Sequence, residues 1–433
     1  MARSTARDIA AAVEQRIRQG DLGPGAWLPS VREYARDVGA SPSTVAAAYR
    51  ELRARGIVVS KEREGMRVAA TPPLAYPAVA SLPPGVIDLA SGNPDPALLP
   101  HQDLVPERGS LRLYGDDAIH PPLAEMARSF LSAGEQVRTD HMLVVNGALD
   151  GIERILQAHV RHGDHVGIEN PGYSAVIDMV QAMGLKPEPL ALDDDGVLPE
   201  SLAKACAAGA KAVIITPRAQ NPFGAAMSET RRNDLVSVLD AHPEVVVIED
   251  DHAGPISGKD LVSLTQARSR WAFVQSVSKW LGPDLRVALV FGDELTVARV
   301  RGRQQLGPGW VSNASQRMAY ELWSHPTTNS LLADATRIYA ERRQALIESL
   351  HAEGFRVSGR SGLNVWVEVP DEGHVTRELL VRGYAVRQGD RFHTHPGTPA
   401  IRVTISRLPP SDAPELVDAL RRILLPGTST IFA

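Results

Sequence analysis

The chain has 433 residues, of which 43% are hydrophobic and 22% are charged, and its formal net charge is −5. These values are typical of a globular protein large enough for two or three domains. No run of about eighteen apolar residues occurs, which excludes a transmembrane helix, and the amphipathic N-terminus is not a secretory signal. The single cysteine, Cys206, cannot form an internal disulfide, so we expect a cytoplasmic location.

The charge is distributed unevenly along the chain. Residues 1–70 contain twelve Lys or Arg and eight Asp or Glu, a net charge of +4, although the whole chain is acidic. A basic N-terminal segment attached to an acidic body indicates a module that binds a polyanion.

Apolar spacing predicts three helices within the first seventy residues. The first helix has one apolar face, formed by Ile9, Val13 and Ile17. The second and third helices follow residues that are good N-caps, Ser30 and Ser41. The third helix buries an apolar stripe, Val45, Tyr49 and Leu52. Two short strands, 57–60 and 66–69, joined by a charged turn, complete the plan of a winged helix-turn-helix.

This pattern alone is also compatible with a small helical protein–protein module. The run Leu28-Pro29-Ser30-Val31-Arg32-Glu33 and the later Ser43-Thr44-Val45 resemble the GntR-type DNA-binding domain, and in particular its MocR branch. Exposed small, polar or cationic side chains on these elements can approach phosphates and base edges closely. The predicted DNA-binding residues are Arg32, Ser41, Ser43, Thr44, Arg50, Arg63 and Gly65.

Residues 71–86 form the predicted boundary between this domain and the rest of the chain. Most of this stretch reads TPPLAYPAVASLPPG, with five prolines and no charged residue. Such a sequence favours an extended, semi-rigid linker over packed structure. We therefore expect a winged helix-turn-helix domain over 1–70, a linker over 71–86 and a larger domain over 87–433, with a small subdomain at about 330–433.

Beyond the linker, short apolar runs alternate with helical patterns. Six runs are predicted to be strands: 142–145, 166–168, 212–215, 245–248, 273–274 and 287–291. Helices are predicted at 121–133, 148–161, 173–183, 229–241, 313–323 and 329–352. Buried apolar strands separated by helices are typical of a mostly parallel α/β sheet, in which ligands bind beyond the carboxyl ends of the strands.

Polar or aromatic groups follow the first three of these strands. After the first comes 146–149 (NGAL), whose backbone N–H groups at a helix N-terminus can bind an anion. Tyr173 follows the second strand and can stack on a flat cofactor. Asn221 follows the third and can donate to a phenolate oxygen. Each of these features, taken alone, is also typical of a plain strand–helix turn or of ordinary packing.

The fourth strand is followed by three acids and a histidine, residues 249–252 (EDDH). A carboxylate at a strand end can pair with a protonated pyridine nitrogen and keep the ring an electron sink. The alternatives are a solvated loop and a metal site. No second histidine or carboxylate lies nearby at helical ligand spacing, so no metal site is predicted.

Residues 276–286 (SVSKWLGPDLR) place two hydroxyls, a lysine and an arginine within eleven positions. Lys279 can lose its proton easily and form an imine with an aldehyde, because nearby cations and partial desolvation disfavour the ammonium form. Ser276, Ser278 and Arg286 would suit a dianionic phosphate. On its own, such a stretch is more typical of a surface loop.

Taken in chain order, these groups resemble the fold-type I aminotransferases over residues 87–433. The resemblance implies pyridoxal 5′-phosphate as cofactor, with Lys279 forming the aldimine and Asp250 pairing with the pyridine nitrogen. It implies further cofactor contacts from Gly147, Ala148, Leu149, Tyr173, Asn221, His252, Ser276, Ser278 and Arg286. Arg402 matches the arginine that pairs with a substrate's α-carboxylate. Tyr114 matches a tyrosine that reaches the other subunit's phosphate, which implies a homodimer.

Three motifs resemble the MocR regulators more than free-standing aminotransferases: 91–95 (SGNPD), 114–116 (YGD) and Tyr339 with 342–343 (RR). The resemblance implies a transcriptional regulator that binds operator DNA as a domain-swapped homodimer. It would sense pyridoxal 5′-phosphate, an amino acid or an amine by transaldimination at Lys279. The alternative is an active aminotransferase with an accessory DNA-binding domain, because all the catalytic groups are present.

Overall fold

The computed structural model describes residues 5–19, 21–23, 25–54, 56–61, 65–69, 82–100, 113–132, 134 and 137–424. Contacts divide the chain into two units, one of Met1–Ser81 with Ala175–Lys186 and one of Leu82–Ser174 with Pro187–Ala433. Among the helices within the described ranges, none has the length and apolar composition needed to cross a bilayer.

The N-terminal elements follow the predicted order of three helices and a hairpin. They are α1 (Ala6–Gln19), α2 (Val31–Asp37), α3 (Pro42–Ala54), β1 (Val58–Lys61) and β2 (Gly65–Val68), with the two strands antiparallel. Both predicted caps are confirmed. Ser30 Oγ accepts a hydrogen bond from Glu33 N at 3.3 Å, and Ser41 Oγ accepts one from Thr44 N at 3.1 Å. Each serine thereby satisfies a backbone N–H that the first helical turn leaves without a partner.

The predicted stripe of α3 forms the core of these elements. Val45 and Leu52 are fully buried, and the hydroxyl of Tyr49 donates to Pro29 O at 2.9 Å. The Tyr49 ring stacks on Tyr34 of α2, with the ring centroids 6.0 Å apart. The loop before α2 is therefore tied directly to α3, which fixes how the two helices cross.

Strands of the second half of the fold are, in chain order, β3 (Ile87–Asp88), β4 (Met142–Val145), β5 (His165–Asn170), β6 (Lys186–Asp193), β7 (Gly196–Val197), β8 (Ala210–Ile215), β9 (Val246–Asp251), β10 (Trp271–Ser276), β11 (Ala288–Gly292), β12 (Val357–Ser358), β13 (Asn364–Glu368), β14 (Tyr384–Ala385), β15 (Arg387–Gln388) and β16 (Ala400–Thr404). The corresponding helices are α4 (Pro121–Ser132), α5 (Ala148–His159), α6 (Ser174–Ala182), α7 (Pro199–Ala207), α8 (Glu229–Asp240), α9 (Glu294–Gln305), α10 (Asn313–Ser324), α11 (Thr328–Ala352), α12 (Glu372–Val381) and α13 (Ala413–Leu424). All six predicted strands and all six predicted helices are present, with ends displaced by at most three residues.

An eight-stranded sheet in the order β4-β11-β10-β9-β8-β5-β6-β7 forms the centre of the larger unit. The pairs β5–β8, β8–β9 and β9–β10 are parallel, and β11 runs antiparallel to both of its neighbours. The prediction of a mostly parallel sheet is thus confirmed. Helix α5 lies close against it because Gly151 has no side chain. A Cβ there would meet methyl groups of Val145 and Val290 at 3.1 Å.

A second, four-stranded antiparallel sheet in the order β12-β13-β16-β15 follows in the C-terminal part. Its buried residues join one hydrophobic core with α11 and α13. The short strand β3 pairs in parallel with β14, so that the first residues after the linker are hydrogen-bonded to the C-terminal part of the same unit.

Candidate functional site

One cleft of the larger unit collects most of the predicted site residues. It lies where β4, β5, β8, β9 and β10 end. The predicted residues that line it are Ala148, Leu149, Tyr173, Asn221, Asp250, His252, Ser276, Ser278, Lys279, Arg286 and Arg402. The sequence does not single out a site role for four further lining residues, Ser91, Gly92, Thr216 and Pro283.

Lys279 follows β10 and directs its amine into the cleft. Its Nζ donates a hydrogen bond to the backbone oxygen of Gly92 at 2.6 Å. Burial, together with the positive charge of Arg402, lowers the pKa of Lys279 to about 8. An amine with a pKa near 8 is partly unprotonated at neutral pH, and only the unprotonated form attacks a carbonyl carbon.

Asp250 lies in β9 and is 6% exposed. Its Oδ1 is buried and has no hydrogen-bond partner among the residues that the structure describes, which is rare for a carboxylate in a folded protein. Burial, followed by the charges of Asp251 and Glu169, raises the pKa of Asp250 to about 7. The cleft therefore contains an acceptor that requires a donor or a cation, and a protonated ring nitrogen provides both.

The carboxylate of Glu169 lies behind this acid and is held by donors. It accepts hydrogen bonds from Thr216 N and Oγ1, both at 2.8 Å, and from Gln220 Nε2 at 3.0 Å. Burial nevertheless raises the pKa of Glu169 to about 7. This group links the ends of β5 and β8. No single spacing in the sequence reveals it, because Glu169 lies in β5 and its two partners lie in the loop after β8.

The other two acids of 249–252 have partners of their own. Asp251 forms a bidentate ion pair with Arg218, at 3.0 and 2.8 Å, and both side chains are buried. Glu249 accepts from Ser263 Oγ at 2.5 Å and from Leu264 N at 2.9 Å. The three acids belong to β9 and do not form the solvated loop considered above. Among the residues with described positions, no cluster of three or more His, Cys, Asp or Glu side chains is arranged to hold a metal ion.

A cradle for an anion is formed at the start of α5. Gly147 precedes the helix with φ +95°, and a Cβ there would come within 2.5 Å of Arg286 Nη2. Arg286 donates to Asn146 O at 3.1 Å, so its guanidinium lies beside this helix N-terminus. Ser276 Oγ accepts from Ser278 N at 3.2 Å. Together these groups present N–H, O–H and cationic donors to one small volume.

Arg402 lies in β16 and is 4% exposed. Its Nη1 donates to Asn221 Oδ1 at 3.0 Å and its Nη2 donates to Ala90 O. Its Nε is buried and has no partner within the described parts of the chain. The guanidinium carbon lies 5.1 Å from the centre of the Phe392 ring. Burial and the nearby charge of Arg387 lower the pKa of Arg402 to about 10. A buried cation with unused N–H groups is suited to a carboxylate.

His252 and Tyr114 occupy different surroundings. His252 lines the cleft, where burial and the charge of Lys279 lower its pKa to about 4, so its imidazole is neutral at pH 7. Tyr114 lies outside the cleft, with 93% of its side chain exposed and its ring edge-on to Trp310 at 5.5 Å.

The predicted DNA-binding residues lie in the smaller unit and are mostly accessible. Arg32, Ser41, Ser43, Arg50 and Gly65 are exposed, and Thr44 is partly exposed. The hydroxyl of Ser41 is 2.8 Å from that of Ser43 and 2.7 Å from that of Thr44, so the start of α3 presents a connected group of hydroxyls. Arg63, the remaining predicted contact, lies outside the described residues.

Two family models match the chain. The model described as aminotransferase class I and II matches residues 84–420, and the model described as bacterial regulatory proteins, gntR family, matches residues 5–68. The first match spans the cleft and the second spans α1 to β2.

Several curated proteins are similar over most of their length. The vitamin B6 salvage pathway transcriptional repressor PtsJ of Salmonella typhimurium is 35% identical, over 97% of this chain and 98% of its own. The uncharacterized HTH-type transcriptional regulator YdcR of Escherichia coli is 26% identical, over 90% and 92% respectively. The HTH-type pyridoxine biosynthesis transcriptional regulator PdxR of Corynebacterium glutamicum is 27% identical over 55% of this chain and 54% of its own.

Solved structures of aminotransferases share the fold of the larger unit. The α-aminoadipate aminotransferase LysN of Thermus thermophilus superposes with a TM-score of 0.70 at 22% identity, covering 79% of this chain and 92% of its own. An archaeal alanine:glyoxylate aminotransferase gives a TM-score of 0.71 at 24% identity, covering 78% and 90%. These likenesses support the fold alone.

Proposed function

Since the chain belongs to the aminotransferase class I and II family and carries a GntR-family domain at its N-terminus, we propose that this transcriptional regulator binds pyridoxal 5′-phosphate through Lys279. Its cofactor site is the cleft described above. The DNA-binding unit reads operator DNA, and the state of the cleft controls that binding.

The buried Oδ1 of Asp250 is the observation that carries the cofactor assignment. A carboxylate that is desolvated and lacks a partner is unfavourable unless the ligand supplies one. At that oxygen Asp250 would accept a hydrogen bond from the cofactor's protonated pyridine nitrogen, and the positive charge there would compensate the carboxylate. Asp250 therefore orients the ring and keeps its nitrogen protonated. Tyr173 lines the same cleft and offers a ring face for stacking.

The phosphate is assigned to the cradle at the N-terminus of α5. Ser276, Ser278 and Arg286 supply hydroxyl and guanidinium donors, and Ala148 and Leu149 supply backbone N–H groups at the positive end of the helix. Gly147 keeps the approach open for Arg286. The ring's hydroxyl oxygen is assigned to Asn221, and the neutral imidazole of His252 contributes no charge beside it.

When bound, the cofactor supplies an aldehyde carbon that forms an imine with Lys279, and an incoming amine can take that carbon over by transaldimination. The chain's own part is to hold an unprotonated amine at Lys279 and a cation at Arg402. The effector is pyridoxal 5′-phosphate itself, an amino acid or an amine. The names of PtsJ and PdxR connect those relatives with vitamin B6, which supports a B6-related effector here. Arg402 pairs with the effector's carboxylate where one is present.

We assign to the functional protein a homodimer in which Tyr114 reaches the partner subunit's phosphate site. The support is the position of Tyr114, which is almost fully exposed although it packs against Trp310. An exchange of DNA-binding units between protomers belongs to the same proposal, and the proline-rich linker supplies the length that such an exchange needs.

Titration of the purified protein with pyridoxal 5′-phosphate tests the cofactor assignment. We expect a visible imine absorbance that saturates at one cofactor per chain and that borohydride reduction converts to a stable adduct. Peptide mass spectrometry should locate this adduct on Lys279. An adduct spread over exposed lysines such as Lys259, or no saturable absorbance, would contradict the assignment.

Removing Arg32 or Thr44 side chains is expected to weaken operator binding. The Arg32→Ala and Thr44→Ala proteins should each bind the DNA upstream of their own gene less tightly by roughly 1–3 kcal/mol, because each loses a phosphate or base-edge contact. Arg32→Ala should also reduce the dependence of binding on salt. Mobility-shift titrations at several salt concentrations measure both effects. Arg356→Ala removes an equally charged, exposed side chain from the other unit and should change neither.

An active aminotransferase is the second candidate function. It is favoured by one observation, that Lys279, Asp250, Asn221 and Arg402 all line a single cleft. Full transamination requires a second substrate to be accepted after the first product leaves. Multiple turnovers with an amino donor and a 2-oxo acid would establish this candidate, whereas a single half-reaction is compatible with a sensor.

A further inference from the structure

The segment that joins the linker to the body of the larger unit is anchored at both ends. At its beginning, Ile87 N donates to Gly383 O at 2.8 Å and Leu89 N donates to Ala385 O at 2.9 Å. At its end, Asp95 N donates to the hydroxyl of Tyr339 at 2.9 Å. We call residues 90–95, which run from the first anchor up to and including Asp95, the strap.

The end anchor also includes a charged pair. Arg342 Nη1 donates to Asp95 Oδ2 at 2.9 Å, and both side chains are less than one-fifth exposed. Arg342 also donates to the backbone oxygen of Ser406. The strap is therefore fixed to α11 and to the loop after β16, and both belong to the same unit as the cleft.

The middle of the strap is held by two basic side chains of the cleft, Lys279 and Arg402. Lys279 Nζ donates to Gly92 O, and Arg402 Nη2 donates to Ala90 O. The strap lies directly against Arg402, because a Cβ on Gly92 would be 3.4 Å from its guanidinium. Gly92 also has φ +70°, a conformation that glycine adopts without strain. The donors on which the strap depends are thus the groups assigned to the cofactor and to the effector.

Imine formation changes what Lys279 can donate. The unprotonated amine has two N–H hydrogens, and both leave with the aldehyde oxygen as water when the C=N bond forms. The imine nitrogen then carries no hydrogen, or one when it is protonated, whereas the free ammonium form carries three. Lys279 therefore has at most one N–H group left when the cofactor is attached, and its hydrogen bonding to Gly92 O is weakened. A carboxylate bound at Arg402 competes in the same way with Ala90 O.

We propose that the strap senses the state of the cleft: it is held while Lys279 is a free amine and is released when Lys279 is engaged in an imine. This inference rests on the proposed function and specifies how occupancy is transmitted. The strap directly follows residues 87–89, which hold the chain to the body after the linker, so its release loosens the body next to the point where the DNA-binding domain is tethered. An effector carboxylate that binds Arg402 would also compete with the Ala90 carbonyl for this guanidinium, and would thereby release the strap at a second contact.

Hydrogen–deuterium exchange of the full-length protein, followed by mass spectrometry, tests the proposal. We expect peptides covering 88–98 to exchange about fivefold faster after pyridoxal 5′-phosphate is bound, the factor that corresponds to one net hydrogen bond. Peptides around 216–221, which line the cleft, should exchange more slowly in the same sample. Faster exchange at 88–98 with slower exchange around 216–221 distinguishes release of the strap from a general loosening of the protein.

Asp95→Asn provides a variant outside the cofactor site. It removes the charged pair with Arg342 and should raise exchange of 88–98 in the cofactor-free protein, so that cofactor adds little further change. Its imine absorbance should be that of the parent protein. Arg337→Gln, which removes two exposed ion pairs on the same helix α11, is the matched control and should leave exchange of the strap unchanged.

The outcomes separate this inference from the function on which it rests. If the imine forms and exchange of 88–98 is unchanged or slower, the strap proposal is wrong and the cofactor assignment stands. If no imine forms, the cofactor assignment itself fails. If cofactor speeds exchange of 88–98 in the wild type and does not change it in Lys279→Ala, the result supports both the strap proposal and the cofactor assignment.

Discussion

Replacing Lys279 with alanine is expected to abolish the imine absorbance and to weaken retention of pyridoxal 5′-phosphate by at least roughly 100-fold, which corresponds to about 2.7 kcal/mol. The covalent bond is lost entirely, and only the contacts of the ring and the phosphate remain. Absorbance titration and dialysis against buffer measure the two effects. The residual affinity reports what Asp250 and the phosphate cradle contribute without the lysine.

Lys259→Ala is the matched control for this variant. The Lys259 side chain is exposed and belongs to the same unit, whereas its backbone oxygen makes the structural contacts, which alanine retains. Cofactor binding should therefore be unchanged in Lys259→Ala. If Lys279→Ala retained the parent absorbance and affinity, the cofactor would have to be attached elsewhere.

Changing Asp250 to asparagine should stabilise the cofactor-free protein and at the same time weaken cofactor binding. The pKa of Asp250 is raised from 3.8 to about 7 on folding, a difference worth roughly 4 kcal/mol at pH 8. A buried amide without a partner removes part of this gain, so we expect a net stabilisation of about 2–3 kcal/mol. Affinity for pyridoxal 5′-phosphate should fall at least roughly tenfold, because an amide cannot compensate the charge of the ring nitrogen.

The stabilisation should depend on pH in a defined direction. Because folding raises this carboxyl's pKa, the folded state holds its proton more tightly than the unfolded state does. The stability of the parent protein therefore falls as pH rises from about 4 to about 7, and the penalty is complete above that range. Urea unfolding of the cofactor-free proteins should show Asp250→Asn less stable than the parent by roughly 1–2 kcal/mol near pH 4, the cost of the buried amide, and more stable by the full net difference at pH 8.

Asp251→Asn, one residue further along the strand, should behave in the opposite way. Asp251 forms a buried bidentate pair with Arg218, and removing its charge leaves a buried guanidinium without compensation. We expect a destabilisation of roughly 3–5 kcal/mol. Two neighbouring Asp-to-Asn changes with opposite signs would show that a missing partner at Asp250, and not burial alone, determines the effect.

The sequence predicts the central sheet well because its strands are continuous apolar runs that end in polar residues. The choice of Asp250 among the acids 249–251 rests on the resemblance to the fold-type I aminotransferases, but the positions of Lys279 and of these acids follow from that pattern, since the carboxyl ends of parallel strands converge. The position of Glu169 does not, because its hydrogen bonds come from two residues of a loop nearly fifty positions away. Local periodicity contains no information about such a pairing.

The C-terminal sheet illustrates the other limit of sequence reasoning. Strands β12, β14 and β15 have two residues each, too short for alternation to be recognised. The predicted strand 245–248 ends three residues before β9 does, for a different reason. Three consecutive acids are typical of a solvated loop, and only long-range partners such as Arg218 and Ser263 keep them inside the sheet. Tertiary contacts thus override the local preference of the sequence.

The three acids of β9 also constrain how the sheet can assemble. Side chains alternate along a strand, so Glu249 and Asp251 lie on one face of the sheet and Asp250 lies on the other. On the first face, Glu249 is hydrogen-bonded to Ser263 and Asp251 to Arg218. A slip by one residue would turn two carboxylates towards the cleft and leave Arg218 without its partner. The strand therefore has one acceptable alignment with its parallel neighbours β8 and β10. Its three acids therefore favour the correct alignment of β9 with β8 and β10 during folding, before any cofactor is bound.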